Sequence, residues 1–254
     1  MTPLNNERLR AIVTEGHRPL FATVSGAHLY GFPSPDSDID LRGAFVLPVV
    51  DLLRLHDPEE TITHMQICDG IEVDWVAHDL RKFARLLTRR NGYVLEQLYS
   101  PLVVYGGPWL DELRIIGYGC ITRLLYHHYQ GFTTTQRKRL EGPAPTVKDL
   151  LYAFRVLLTG IHVLRTGQVE ANLRVLSQDN PVAGIDALLA RKIAGAEHGL
   201  LLSSELQAHR AELRRLEESL DAAFATSTLP ATPTTLAALD DFVVRARLEI
   251  APYV

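Results

Sequence analysis

Two short runs bring three carboxylates into strand-like settings, and this constrains the chain more than any other feature. Asp38 and Asp40 lie in Ser37-Asp38-Ile39-Asp40, directly after the turn-forming Pro33-Ser34-Pro35-Asp36. Residues i and i+2 of a strand share a face, so these two acids converge if the run is extended. Asp74 is a third acid, set in the apolar pattern Ile71-Glu72-Val73-Asp74-Trp75. Glu72 lies on the same face of that strand and is the alternative third acid. Carboxylates gathered this way form an all-oxygen site suited to Mg²⁺ or Mn²⁺. Asp38, Asp40 and Asp74 are therefore the candidate metal ligands and catalytic residues.

The 254 residues suffice for one large domain or two modest ones, and 46% of them are hydrophobic, enough for a proper core. A formal net charge of −4 argues against a general polyanion binder while leaving room for a local basic groove. Cys68 and Cys120 form neither a disulfide framework nor a zinc pattern. Residues 1–10 are polar and carry no apolar signal core. No stretch approaches the roughly 18 unbroken apolar residues of a membrane span. A soluble cytoplasmic protein without a membrane partner is expected.

Residues 5–15 read as a helix with Leu9, Ile12 and Val13 on one face. Residues 20–25 are a short apolar strand, 26–31 a turn or short helix, and 38–47 a second strand. Residues 48–60 form a connection with a helical turn. Residues 61–66 and 71–77 are strands joined by an Asp69-Gly70 turn. Leu80, Phe83, Leu86 and Leu87 then adopt helical spacing behind Asp79 as cap or first-turn acid. A second short helix covers 91–99. Beyond Pro108, helices are expected over 109–129, 147–165, 185–197, 203–224 and 236–250. A linker is expected over 130–145. The architecture is α+β in front, 1–107, followed by an all-helical domain, 108–254.

Val24-Ser25-Gly26-Ala27-His28-Leu29-Tyr30-Gly31, followed by Ser37-Asp38-Ile39-Asp40-Leu41-Arg42-Gly43, resembles the polymerase-β-like nucleotidyltransferase superfamily. With Tyr30-Gly31-Phe32, Arg81-Lys82-Phe83 and Asn91, the match is similar to one branch, the predicted nucleotidyltransferases associated with RNA ligases. It extends over residues 20–99. The resemblance implies a metal-dependent enzyme that transfers NMP from an NTP–Mg²⁺ complex, bound between the two domains, to a hydroxyl and releases pyrophosphate. An RNA end is the implied acceptor and an RNA-ligase-linked system the implied partner; a protein hydroxyl or a small alcohol stays open. Ser25, Gly26, Ala27, His28, Gly31 and Ser37 are the implied nucleotide contacts. Gly26 lets the backbone approach a phosphate. Ala27 departs from the family, which carries Ser there as a phosphate contact. That departure keeps alive an alternative, a catalytically weak or inactive nucleotide-binding or partner module on the same fold.

The remaining cations read two ways. Arg42 is either a nucleotide phosphate contact, for which a guanidinium is suited, or the partner of a strand acid. Arg155, a cation inside the apolar run Leu151-Tyr152-Ala153-Phe154, reads as a nucleotide contact from the helical domain or as an internal or snorkelling side chain. Lys148 and Lys192 are candidates of the same kind. Arg81 and Lys82, near the start of a helix, read as facing the pocket or as a solvated helix face. His127-His128 is no metal pair, because adjacent helical residues point about 100° apart. The Arg/Glu-dense run 205–218 reads as a solvated helix with i,i+4 pairs.

Overall fold

The computed structural model describes residues 6–68, 70–195 and 199–251. The chain opens with α1 (Asn6–Thr14), β1 (Pro19–Val24), α2 (Gly26–Tyr30), β2 (Ile39–Phe45) and α3 (Val49–Leu52). It continues through β3 (Thr61–Cys68), β4 (Ile71–Asp79), α4 (Leu80–Leu87), α5 (Gly92–Tyr99), β5 (Val103–Tyr105) and α6 (Pro108–Gly117). A 3₁₀ turn at Tyr118–Cys120 leads to α7 (Leu125–Leu140), α8 (Val147–Thr166), α9 (Leu173–Asp179) and α10 (Ile185–Ala194). The last helices are α11 (Ser203–Thr226) and α12 (Leu236–Ile250). The fold is α+β, with one mixed five-stranded sheet and helices, as the sequence reading expects. Among the described residues no helix is long and apolar enough to cross a membrane.

The chain forms two compact units, neither continuous in sequence. The first draws on the stretch ending at Gly26, on Asp38–Cys120 and on the stretch from Thr232 onward. Its sheet runs in the order β3-β4-β2-β1-β5. β2 and β4 are parallel; the other neighbours are antiparallel. Period-2 patterning works as expected. Ile39 and Leu41 on β2, with Val73, Trp75 and Ala77 on β4, are buried in one core with Leu9, Ile12 and Val13 of α1. The other face carries Asp40 and Arg42 on β2 and Asp74, Val76 and His78 on β4. Farther along that face, Phe83 of α4 meets Phe21 of β1 edge-on, with ring centroids 5.2 Å apart.

α4 shows why the helices form where they do. Leu80, Phe83, Ala84 and Leu87 are buried at helical spacing, and the Asp79 carboxylate accepts from the Arg81 backbone N–H at 2.9 Å. The fully buried Asp79 also accepts from the Leu47 N–H at 3.1 Å and from Arg247 Nη2 at 2.9 Å. Arg247 Nη1 donates to the Leu47 carbonyl at 2.7 Å. This network ties α12 to the sheet unit, where it packs on α4 and α6.

The second unit, Ala27–Ser37 with Ile121–Ala231, is built around α8, flanked by α7, α9, α10 and α11. A capping box between Thr146 and Asp149 opens α8, and Gly167, in the left-handed region at φ 71°, closes it.

Several expectations need correction. β5 and α9 have no counterpart in the sequence reading; β5 is only three residues long, and α9 depends on Asn172, whose Oδ1 accepts from the Arg174 N–H at 3.0 Å. The helix expected over 109–129 is two helices. Its break sits at Gly119, whose carbonyl accepts from the Thr234 N–H at 2.8 Å and where a Cβ would overlap Thr235. The linker expected over 130–145 is mostly α7. Its threonines look loop-like, but Thr133, Thr134 and Thr135 each donate to the carbonyl four residues back. Tyr129, Thr133, Gln136 and Leu140 then form a buried stripe. Residue 5, the Asp69 half of the expected Asp69-Gly70 turn, and residues 196–197 of an expected helix lie outside the described residues.

Candidate active site

Asp40 and Asp74 stand side by side. Parallel pairing sets Ile39 opposite Val73 and Asp40 opposite Asp74, so both carboxylates leave the same face of adjacent strands. Their side chains are 32% and 26% exposed. They are therefore reachable from water, unlike the core-facing residues between them.

Arg42, two residues along β2 on the same face, joins them. Its Nη2 donates to Asp40 Oδ1 at 2.7 Å and to Asp74 Oδ2 at 2.8 Å. Its Nη1 donates to the carbonyls of Leu41 and Asp74, each at 2.7 Å. Of the two readings of Arg42, this geometry is the pairing with strand acids. The fork of a guanidinium suits such a seat, since its donors diverge in one plane.

Gly26 faces the other oxygen of Asp40. It lies in the left-handed region at φ 61°, and a Cβ there would overlap Asp40 Oδ2. The preceding Ser25 donates its N–H to the Asp40 carbonyl at 2.8 Å and is buried. Glycine at 26 is thus needed both for backbone conformation and for room beside a carboxylate. A second close approach explains Gly43, where a Cβ would overlap the Phe21 carbonyl of β1.

Asp38 and Glu72 stand differently. Asp38 precedes the first residue of β2 and is exposed, so the i,i+2 strand geometry does not extend to it. Glu72, two residues before Asp74 on β4, is exposed also. Among the described residues no three His, Cys, Asp or Glu side chains are grouped to hold a metal ion. The assembled unit is a pair. A pair of carboxylates fits Mg²⁺, which usually takes one or two from the protein and fills its octahedron with water and phosphate oxygens.

The remaining nucleotide-contact candidates lie in the second unit. Ala27 is buried, and its carbonyl accepts from the Phe32 N–H at 3.1 Å. His28 follows it in α2 and is half-buried. Gly31, at φ 85°, leaves room for Asn172, whose amide a Cβ would crowd. Ser37 is buried in the turn, with its hydroxyl 2.9 Å from Ser34 Oγ. Lys192, also buried, donates to Ser34 Oγ at 2.7 Å. Arg155 is 1% exposed, with its guanidinium carbon 3.9 Å from the centroid of the Tyr30 ring. Of its two readings, that placement is the internal one.

The link from Lys192 to the Pro33–Ser37 turn has no local sequence signal, since 158 residues separate Lys192 from Ser34. Nor does the Arg247–Asp79 pair. Two histidines, one in each unit, have lowered pKa values with simple causes. Burial, then Lys82 and Arg42, lowers the pKa of His78 on β4 and favours its neutral form. Burial, reinforced by Arg155, pushes His128 down to about 4, so it is a neutral ring at pH 7.

Comparison with known proteins adds three findings. The sequence profile described as RlaP, RNA repair pathway DNA polymerase beta family, matches residues 1–245. The uncharacterized protein MJ0002 of Methanocaldococcus jannaschii is 34% identical over 159 residues, covering 61% of this chain and 63% of that protein. The chain thus aligns with less than two thirds of that relative's length. The uncharacterized protein YcgL of Bacillus subtilis is 27% identical over 192 residues, 72% of each chain.

Proposed function

We propose, from the premise that this chain belongs to the RNA repair pathway DNA polymerase beta family, that it is a nucleotidyltransferase acting on an RNA end. A bond forms between the acceptor hydroxyl oxygen and the α-phosphorus of an NTP. The bond from that phosphorus to the β-phosphate bridging oxygen breaks, pyrophosphate leaves, and the hydroxyl proton passes to a base or to water. The register pairing of Asp40 with Asp74 on a water-reachable sheet face carries this reading. Two carboxylates on one face of adjacent strands support an oxygen-ligand site for a divalent ion.

Asp40 and Asp74 would hold Mg²⁺ or Mn²⁺; Asp38 is exposed one residue before β2, outside that pair. The ion supplies neutralisation of phosphate charge. Asp74 would help hold the ion that activates the attacking hydroxyl, or take its proton. Gly26, lacking a side chain, lets the Asp40 carboxylate lie against the backbone where α2 begins. Little covalent chemistry falls to the protein; positioning and electrostatics supply the rate.

Arg42 bonded to both acids favours a second reading, a nucleotide-binding module without transfer activity. One assay separates the two. Protein is incubated with each α-³²P-labelled NTP, Mg²⁺ or Mn²⁺, and RNA with defined ends. Label on RNA, reduced at least ~100-fold by Asp40→Asn and by Asp74→Asn, is the expected result, since even residues behind metal ligands cost 10–100-fold. Label that survives both substitutions overturns the proposed site. Nucleotide binding without label under any condition favours the module.

A further inference from the structure

The Arg42 guanidinium has four acceptors, two of them carboxylates. It takes one oxygen of each acid, Asp40 Oδ1 and Asp74 Oδ2, and its Nη1 is anchored to two backbone carbonyls. The anchoring matters, because a side chain held by strand carbonyls on both sides does not swing away when the acids acquire another partner. Arg42 is 20% exposed, so its charge is only partly screened by water. Arg42 thus offsets one of the two carboxylate charges. A divalent ion approaching Asp40 and Asp74 meets a fixed cation within hydrogen-bond distance of both.

We infer that Arg42 makes metal binding depend on the nucleotide: it suppresses capture of a bare divalent ion and lets the ion bind well only as its triphosphate complex. This rests on the nucleotidyltransferase reading and names the residue that sets the order of loading. Polyphosphate reverses the electrostatics. A nucleotide brings several negative charges, which satisfy the ion directly and are attracted by the same guanidinium. The fixed cation that repels a lone dication thus attracts an anionic complex. Arg42 is a positioning residue in this scheme and donates no proton. It offsets charge on the pair and holds one oxygen of each acid, Asp40 Oδ1 and Asp74 Oδ2.

Mn²⁺ binding, followed by electron paramagnetic resonance of the free ion, tests this without turnover. Wild-type protein and Arg42→Gln, Arg42→Lys and Asp74→Asn variants are titrated alone and with an NTP analogue whose α,β-bridge cannot be cleaved. Arg42→Gln is expected to bind bare Mn²⁺ at least tenfold more tightly than wild type. Arg42→Lys, which keeps the charge and loses the fork, stays within threefold of wild type. The analogue is expected to tighten Mn²⁺ at least tenfold in wild type and less in Arg42→Gln. Equal bare-ion affinity for wild type and Arg42→Gln overturns the inference and leaves the nucleotidyltransferase reading intact. If Arg42→Gln does not fold, absence of any analogue effect in wild type overturns it. Failure of every protein to bind Mn²⁺ with or without the analogue, or binding undiminished in Asp74→Asn, removes the site itself and both readings with it.

Discussion

Substituting Arg247 by methionine tests the packing of the sheet unit most directly. Asp79 is fully buried and Arg247 is 6% exposed, and they meet at 2.9 Å. Removing the cation leaves Asp79 with two backbone N–H donors, from Leu47 and Arg81, and no ion-pair partner among the described residues. Breaking a buried pair on one side costs about 3–5 kcal/mol, because the surviving charge stays desolvated. The Leu47 carbonyl also loses its Arg247 donor, which places the cost toward the upper part of that range. For a chain of this size that is a fall of roughly 6–20 °C in the melting temperature. Urea unfolding of wild type, Arg247→Met, Asp79→Asn and the double variant measures it as a cycle. Asp79→Asn also turns one carboxylate oxygen into an amide donor facing a backbone N–H, so only the coupling isolates the pair; about 2–3 kcal/mol is expected. A single-variant loss below about 1 kcal/mol, or additive single effects, would refute the electrostatic account of how α12 is held.

Two further outcomes are expected. Gly26→Ala forces a left-handed alanine, costing about 1–2 kcal/mol or roughly 2–8 °C in Tm, and drives Asp40 off its position; transfer activity should fall at least ~10-fold, and retained activity rules out the close approach. His128 binds its proton at about 4 in the folded chain against 6.5 ordinarily, so its contribution to stability is full above pH 6.5 and is lost as pH falls through 4. That difference amounts to at most about 3 kcal/mol. Urea midpoints at pH 7 and pH 4 should converge in His128→Gln relative to wild type, and an unchanged acid sensitivity assigns the effect elsewhere.

Much of the sheet was legible because one-residue alternation has a single physical meaning. Val73, Trp75 and Ala77 must face one way and Asp74 the other. Parallel pairing of β2 with β4 is nonlocal, and it sets Asp74 rather than Glu72 beside Asp40. An Asp-x-Asp spacing is silent about where a strand begins, and β2 starts one residue after Asp38. Arg42 stood two residues from Asp40 in plain view, and only the neighbouring strand could choose between its readings. In α7, residues 130–135 read as loop because threonine and glycine usually do. The hydroxyls that bond back along the helix become visible only once the helix exists.

The return of α12 to the sheet has a practical outcome for anyone dividing this protein. A gene fragment that stops after β5 would encode a sheet lacking one of its flanking helices, with an aspartate sealed inside and no counterion to meet it. Chimeras that exchange the middle of the chain have to keep its last helix with its first strands, because those distant stretches share one interior.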